Sequence, residues 1–368
     1  MHDDSLLYHI SLTQIPQIGD VQISNLLKHY INPREIFSAN RKQLELIPGI
    51  GSIRASEIRK FRSFDKAEKE LKYVNDNQIK VLVKGHDSYP RRLEQCIDAP
   101  HVLYYKGSAD LNASKAISLV GTRSPTAYGR ENVVEILGVL AAYGTLVFSG
   151  LAYGIDTIAH KESLKNNLPT IAVLGHGFNF VYPYENRQLA SDMIHAGGLL
   201  TEFMHDVKPD KQNFPKRNRI VAGIADAVIV VESGDKGGSL ITADIANSYN
   251  RDILAIPGRT TDLKSHGCNQ LIKNNKANLI TSGSDLVEFL NWTTRQAPRK
   301  SNQLELFLDL NEQEKLIFKQ IIENGPISID EITINAGIKP SMAAAVIFSL
   351  EMKNLIIALP GKCYKTLH

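Results

Sequence analysis

The chain has 368 residues, of which 43% are hydrophobic and 22% are charged, a composition typical of a globular protein that buries sizeable cores. Its length favours two or three domains. The net charge of +3 excludes a histone-like binder driven by charge alone, but it is compatible with a local basic patch.

The first ten residues lack the basic and apolar regions of a signal peptide, and no apolar run approaches the roughly 20 residues that span a bilayer. The three cysteines, Cys96, Cys268 and Cys363, are far apart and in no metal-ligand spacing, which favours a reducing compartment and small, partly buried thiols. The histidines also lack ligand spacing. We therefore expect a soluble, cytoplasmic protein with no metal site and no membrane segment.

Residues 1–75 are predicted to form short helices, because apolar residues recur at helical spacing. Between two of these helices lies IPGIGSIRASEI (47–58), which resembles the turn of a helix-hairpin-helix, or SAM-like, domain. An earlier run, IPQIGDVQISNLL (15–27), is a degenerate second copy with Gln17 in place of the first glycine. Such turns either hold a DNA phosphate on their backbone N–H groups or pack a small scaffold, and both interpretations stay open.

Residues 76–295 contain short, continuously apolar, β-rich runs separated by stretches of helical length. This pattern is typical of parallel strands covered on both faces, and the alternation predicts an extended Rossmann-like, doubly wound α/β sheet. The predicted strands are 116–121, 145–150, 170–175, 198–203, 227–232 and 253–258.

A polar linker is predicted at 296–308, and residues 309–368 are predicted to form a winged helix of three helices and a hairpin that turns near Pro360. Ser328 is the expected N-cap of the second helix, and Pro340 opens the third. The third helix carries mostly alanine and aliphatic side chains, which favours a protein-interaction module over a reader of duplex DNA. Contacts of nearby lysines with a DNA backbone remain an alternative.

Glycine and hydroxyl residues follow the carboxyl ends of several predicted strands, where ligands bind in an open α/β sheet. Turns of this kind form nests of N–H groups that suit phosphate oxygens. Arg123 stands where a dinucleotide fold needs close glycine backbone, and no Gly-Lys-Ser/Thr sequence closes a Walker A loop. We therefore expect neither a dinucleotide nor ATP, and no cofactor. The glycine-rich turns are 121–130, 149–156, 175–177 and 232–239.

The densest basic cluster of the α/β region, 208–219, contains one aromatic residue, Phe214. Arginine and lysine beside an aromatic ring are typical of single-stranded DNA binding, because the cations hold phosphates and the ring stacks on a base. The alternative for this segment alone is a solvated, charged loop and helix start.

Ser149, Asp156 and His160 lie close in sequence, but Ser149 is not part of a Gly-x-Ser-x-Gly elbow. Asp156 and His160 are four residues apart, so they are predicted to share one helix in structural roles, and we expect no enzyme.

Five separated motifs occur in an order and spacing that resemble the DNA-processing protein A (DprA, also called Smf) family of bacteria. The resemblance implies a cytoplasmic, non-enzymatic homodimer that binds incoming single-stranded DNA during natural transformation, protects it and loads the recombinase RecA onto it. The implied DNA-binding residues are Gly121, Arg123, Ser149, Gly150, Lys211, Phe214, Arg217, Asn218, Arg219 and Lys236. The motifs are SGLAYGIDTIAH (149–160), LGHGFNFVYPYEN (174–186), FPKRNRIVAG (214–223), KGGSLITADIA (236–246) and IPGRTTDLKSHGCNQLI (256–272).

Two other functions use the same features. The phosphate-binding turns also suit a nucleotide hydrolase of the phosphoribohydrolase type, in which Glu202 or Glu232 would be the catalytic carboxylate. A transcription regulator would read duplex DNA with its winged helix and sense a nucleotide with its α/β domain.

Overall fold

The computed structural model describes residues 3–293, 310–353, 355–359 and 361–366. The chain divides into two units, Met1–Arg295 and Gln296–His368, which are described separately. The predicted linker at 296–308 and the predicted hairpin residue Pro360 lie outside the described residues.

The first unit begins with six helices, and the predicted helix-hairpin-helix pair lies among them. At the two hairpin turns, Gln17 (φ 63°) and Gly49 (φ 81°) both have a positive φ, which glycine adopts most readily. Arg54 joins the turns, since its guanidinium donates to the carbonyl oxygens of Gln17 (3.0 Å) and Gly49 (2.7 Å). The helices are α1 (Asp3–Leu12), α2 (Asp20–His29), α3 (Pro33–Ser38), α4 (Arg41–Glu45), α5 (Ser52–Lys60) and α6 (Phe64–Asp76).

A nine-stranded sheet forms the rest of the unit, in the order β1-β2-β6-β5-β4-β3-β7-β8-β9. Strands β3 to β9 are parallel and include the six predicted strands, whereas β1 and β2 add an antiparallel edge. The strands are β1 (Lys80–Val83), β2 (Val102–Gly107), β3 (Ala116–Val120), β4 (Leu146–Ser149), β5 (Thr170–Val173), β6 (Gly197–Thr201), β7 (Ala227–Val230), β8 (Asp252–Ala255) and β9 (Asn278–Leu279).

Helices cover both faces of this sheet, which explains why the central strands are apolar along their whole length. On one face Ile220, Ala243 and Leu271 of α11, α12 and α13 pack on the strands, and on the other Val133 and Leu286 of α8 and α14 do so. The predicted doubly wound α/β sheet is thereby confirmed. The helices are α7 (Arg91–Glu94), α8 (Ala127–Leu140), α9 (Ile155–Lys165), α10 (Arg187–Ala196), α11 (Asn213–Gly223), α12 (Gly238–Ser248), α13 (His266–Lys273) and α14 (Gly283–Phe289).

The strand order reverses beside β3. From β3 the chain crosses to β4 on one side, while β7 pairs with β3 on the other. The helices that follow β3 and β7 therefore diverge onto opposite faces of the sheet. A crevice opens between them at the carboxyl ends of the two strands, as expected at a topological switch point.

The helical segment shares contacts with the sheet. Val74 of α6 belongs to one buried cluster with Val102 and Tyr104 of β2. Glu70 accepts hydrogen bonds from the backbone N–H of His205 (3.1 Å) and from its imidazole. The domain boundary predicted at residue 75 falls at the end of α6 within this unit.

The second unit contains α15 (Glu312–Asn324), β10 (Ile327–Ser328), α16 (Ile329–Ala336), α17 (Pro340–Met352), β11 (Ile356–Leu359) and β12 (Cys363–Thr366), with an antiparallel sheet ordered β10-β12-β11. The three predicted helices and the predicted hairpin are present, and the winged helix itself stays a prediction. Ser328 caps α16 as predicted, accepting from the N–H of Glu331.

The described residues include no single helix with the length and hydropathy to cross a membrane. Only α16 and α17 taken together reach those limits, and a bend of 113° separates them.

Candidate nucleic-acid interface

A cavity of about 590 Å³ occupies the crevice between the ends of β3 and β7. Three of the four predicted glycine-rich turns line it, through residues 121–123, 150, 152, 233, 234 and 236–239, together with one side of α11. The fourth turn lies behind Phe214, because Gly175 packs against the ring of that residue. A Cβ added to Gly175 would lie 3.0 Å from Cδ1 of Phe214. The sheet thus brings together segments that are more than 100 residues apart in sequence.

Arg217 forms the floor of the cavity and is only 5% exposed. Its guanidinium packs against Gly150, and a Cβ added to Gly150 would lie 1.5 Å from Nη1 of Arg217. Nη1 donates to the carbonyl oxygen of Val173 (3.1 Å), and Nε has no hydrogen-bond partner among the described residues. Burial lowers the pKa of Arg217, and the nearby carboxylate of Asp156 opposes this effect. Because an arginine stays protonated in proteins, the floor of the cavity carries a buried cation.

Asp156 closes the turn after β4. Its carboxylate accepts from the backbone N–H groups of Gly150 (3.1 Å) and Ala152 (3.3 Å). Burial raises the pKa of Asp156, whereas Arg217 and these N–H donors lower it. The carboxylate therefore shapes the turn that makes room for Arg217.

Exposed cations surround the mouth of the cavity: Arg123 after β3, Lys211 before α11 and Lys236 after β7. The guanidinium of Arg123 lies 6.0 Å from the ring centroid of Phe214, within the range of a cation–π contact. Gly237 precedes α12 without a capping side chain, so the first turn of that helix offers free N–H groups beside the cavity. Four cations and a helix N-terminus therefore face the single carboxylate of Asp156 in the described lining.

Eight of the ten residues that the family resemblance implied line the cavity: Gly121, Arg123, Gly150, Lys211, Phe214, Arg217, Asn218 and Lys236. The structure does not bring the other two there. The hydroxyl of Ser149 is buried and donates to the carbonyl oxygen of Leu119 (2.7 Å). Arg219 is absent from the described lining, and its guanidinium instead binds Glu202 and Asp20, joining α11 to α2.

Tyr182 also lines the cavity, with its ring 5.6 Å from that of Phe214. It lies in a loop between β5 and α10 that has no apolar periodicity. Its only signal in the sequence was its place in the aromatic-rich motif 174–186.

The groups that a hydrolase would need make other bonds. His160 bonds to Thr170 (2.7 Å), and burial lowers the pKa of its imidazole to about 3. Glu232 accepts from the N–H (2.9 Å) and hydroxyl (2.8 Å) of Thr126, at the start of α8. Glu202 pairs with Arg219. Among the described residues no group of three or more His, Cys, Asp or Glu side chains could hold a metal ion.

The doubly wound sheet and the cationic cleft at its switch point define a Rossmann-like protein without a dinucleotide fingerprint. A family model described as DNA recombination-mediator protein A matches residues 80–291, more than half of the chain, and a SAM-like helix-hairpin-helix tandem model matches residues 10–61. The chain belongs to the DNA recombination-mediator protein A family, the DprA or Smf family that its motifs resemble.

Similar proteins come from several bacteria. Protein Smf of Synechocystis sp. is 35% identical over 294 residues, covering 79% of this chain and 74% of the relative. The solved structure of DNA processing protein A from Streptococcus pneumoniae is 31% identical, with a TM-score of 0.63 over 77% of this chain and 97% of that chain. DNA processing protein A from Helicobacter pylori, solved for insight into its single-stranded DNA binding mode, is 28% identical, with a TM-score of 0.53 over 58% of this chain and 96% of that chain.

Proposed function

We propose that this protein binds single-stranded DNA in the switch-point cavity. The observation that carries the proposal is the buried guanidinium of Arg217 in the cavity lining, surrounded by the exposed cations Arg123, Lys211 and Lys236. Phosphates of the strand would bind these cations and the free N–H groups of α12. A base would stack on Phe214, which forms part of the wall. The H. pylori relative supports the choice of a single strand as the ligand.

We further propose that binding, not catalysis, is the activity, and that the cavity takes no cofactor. The structural bonds of Glu202 and Glu232 support this proposal because they engage the two carboxylates that the hydrolase alternative requires. Membership of a recombination-mediator family supports the cellular role: the protein would act as a cytoplasmic homodimer that protects incoming DNA and loads RecA onto it in natural transformation.

The C-terminal unit is proposed to bind a protein partner. Its helix α17 exposes apolar side chains, among them Met342 (43%), Phe348 (64%) and Met352 (69%). A helix that reads the DNA major groove presents polar or basic side chains to base edges instead. The transcription-regulator alternative therefore has no support from this helix.

Binding of a labelled oligonucleotide, measured by fluorescence anisotropy at several salt concentrations, tests the proposed ligand. We expect single strands to bind more tightly than duplexes, with log K falling linearly with log salt. The Arg123→Ala variant should bind all single-stranded sequences more weakly and reduce the salt slope by about 0.7, the value for one phosphate contact on a single strand. Arg130→Ala is the matched control, because Arg130 is also exposed but lies outside the cavity lining. Equal binding by the parent and the Arg123 variant would contradict the site.

The proposed RecA loading has a separate test. RecA hydrolyses ATP when it assembles on DNA, so its ATPase rate on a strand already coated with single-strand-binding protein reports loading. We expect the parent protein to raise this rate and the Arg123→Ala variant to raise it less. An unchanged rate with a parent protein that binds the strand would remove loading from the proposal but keep DNA binding.

A further inference from the structure

Two tyrosines extend the cavity beyond its mouth. Tyr182 is 44% exposed and Tyr153 is 41% exposed, and both line a small recess that adjoins the cavity and shares Arg123 and Phe214 with it. The aromatic surface therefore runs from Phe214, inside the cavity, to Tyr153, outside it.

The loop that carries Tyr182 is held in place by a buried histidine. The backbone N–H of Tyr182 donates to Nε2 of His176 (3.3 Å), and Nδ1 of the same ring bonds to the carbonyl oxygen of Gly177 (3.0 Å). These contacts require the neutral, Nδ1-protonated imidazole, which agrees with a pKa lowered by burial. Tyr182 is thus fixed at its backbone while its ring faces solvent.

The loop that carries Tyr153 is joined to the same segment. The hydroxyl of Tyr153 donates to Oε2 of Glu185 (2.7 Å). The buried amide of Asn186 donates to the carbonyl oxygen of Leu151 (2.9 Å) and to the hydroxyl of Thr157 (2.8 Å). Both tyrosine rings are therefore presented to solvent by two loops that are bonded to each other, and ordering these loops on binding would cost little entropy.

The charges divide the surface into two parts. Arg123 and Arg217 line the recess as well as the cavity, whereas at the far end the hydroxyl of Tyr153 donates to the carboxylate of Glu185. A phosphate is favoured at the cavity and disfavoured beside a carboxylate. The far end therefore suits uncharged, planar groups, and nucleic-acid bases stack on aromatic side chains without sequence preference.

We propose that Tyr182 and Tyr153 form a stacking platform for the bases of the strand that leaves the cavity, so that the binding site is longer than the cavity itself. This inference rests on the proposed single-stranded DNA binding. It assigns stacking to the platform and phosphate contacts to the cavity, and these two kinds of contact respond differently to salt.

The test is anisotropy with labelled oligothymidylates, from the dinucleotide to about 16 nucleotides, a footprint within the range of single-strand-binding modules. We expect Tyr182→Ala to weaken binding of the long oligonucleotides about 5-fold or more, as the loss of one stacked base does. The salt slope should stay at the parent value, and Tyr182→Phe, which keeps the ring, should bind like the parent. Tyr184→Ala is the matched control, because Tyr184 is 71% exposed two residues away but lines neither the cavity nor the recess.

Three results would overturn the platform while the parent still binds single strands: unchanged affinity of Tyr182→Ala for long oligonucleotides, an equal loss in Tyr184→Ala, or an equal loss in Tyr182→Phe. Circular dichroism of each variant shows whether the fold is kept, and Tyr182→Leu, which removes the aromatic ring but keeps an apolar side chain, takes the place of Tyr182→Ala if that variant unfolds. If the parent does not bind single strands at all, the proposed function fails and the platform fails with it.

Discussion

Replacing Gly150 by alanine tests the role of the buried Arg217 without removing any polar atom. The new methyl group would lie 1.5 Å from Nη1 and 2.4 Å from Cζ of the guanidinium, far inside the 3.0 Å that real Cβ contacts respect. The backbone of Gly150 is not in the left-handed region, so alanine fits there without backbone strain. The guanidinium must therefore move.

Displacement of the guanidinium removes a charge-assisted hydrogen bond to a phosphate, which contributes about 1.5–3 kcal/mol. We therefore expect the affinity of Gly150→Ala for single-stranded DNA to fall by about 10- to 150-fold. The carbonyl oxygen of Val173 also loses its donor, which lowers the free energy of unfolding by about 1–3 kcal/mol.

The assay is fluorescence anisotropy with a labelled oligonucleotide, and urea unfolding gives the free energy of unfolding for each variant. Gly138→Ala is the control, because a Cβ on that exposed glycine of α8 meets no atom within 4 Å. It should bind like the parent and be slightly more stable, since alanine is the better helix former. Parent-like binding by folded Gly150→Ala, or an equal loss in Gly138→Ala, would refute the role assigned to Arg217.

Two further predictions concern stability. Glu232→Ala should lower the free energy of unfolding in urea by about 1–3 kcal/mol, because the N–H and hydroxyl of Thr126 lose a buried acceptor. Neither the parent nor this variant should release free base from AMP. If the parent releases free base and Glu232→Ala does not, the result would support a hydrolase instead. Burial lowers the pKa of His9 to about 4 and the pKa values of His101 and His160 to about 3, so between pH 6.5 and about 3 the unfolded chain binds more protons than the folded one. The free energy of unfolding should therefore be largest above pH 6.5 and fall as the pH decreases, by up to about 1.4 kcal/mol per pH unit for each histidine, and a flat profile from pH 7 to pH 5 would contradict these values.

Continuous apolar runs made the parallel strands predictable, because a strand covered on both faces cannot carry polar side chains. The antiparallel strands β1 and β2 were not predicted. They lie at the edge of the sheet, where Lys80 and Lys106 interrupt the apolar pattern. The hairpin turn at Gln17 was predictable from its likeness to the turn at Gly49, although glutamine is unfavourable in that conformation.

The position of each cation was harder to predict than its presence. Arg217 and Arg219 stand in the same basic cluster, but two residues correspond to a rotation of about 200° around a helix, so only one of them faces the cavity with Phe214. This difference becomes visible only when the first residue of α11 is known. Tyr182 lies on a loop, where no periodicity fixes the direction of a side chain.

The location of the cavity on β3 and β7 links its occupancy to the stability of the whole first unit. Both strands are central and buried. The backbone amides of such core strands exchange their protons with solvent only when the protein unfolds on a large scale. The strand ends that border the cavity are therefore lost only when the sheet itself opens. A ligand that binds there stabilises the folded unit by RT ln(1 + [L]/Kd), so that proteolytic resistance and melting temperature both rise with its concentration.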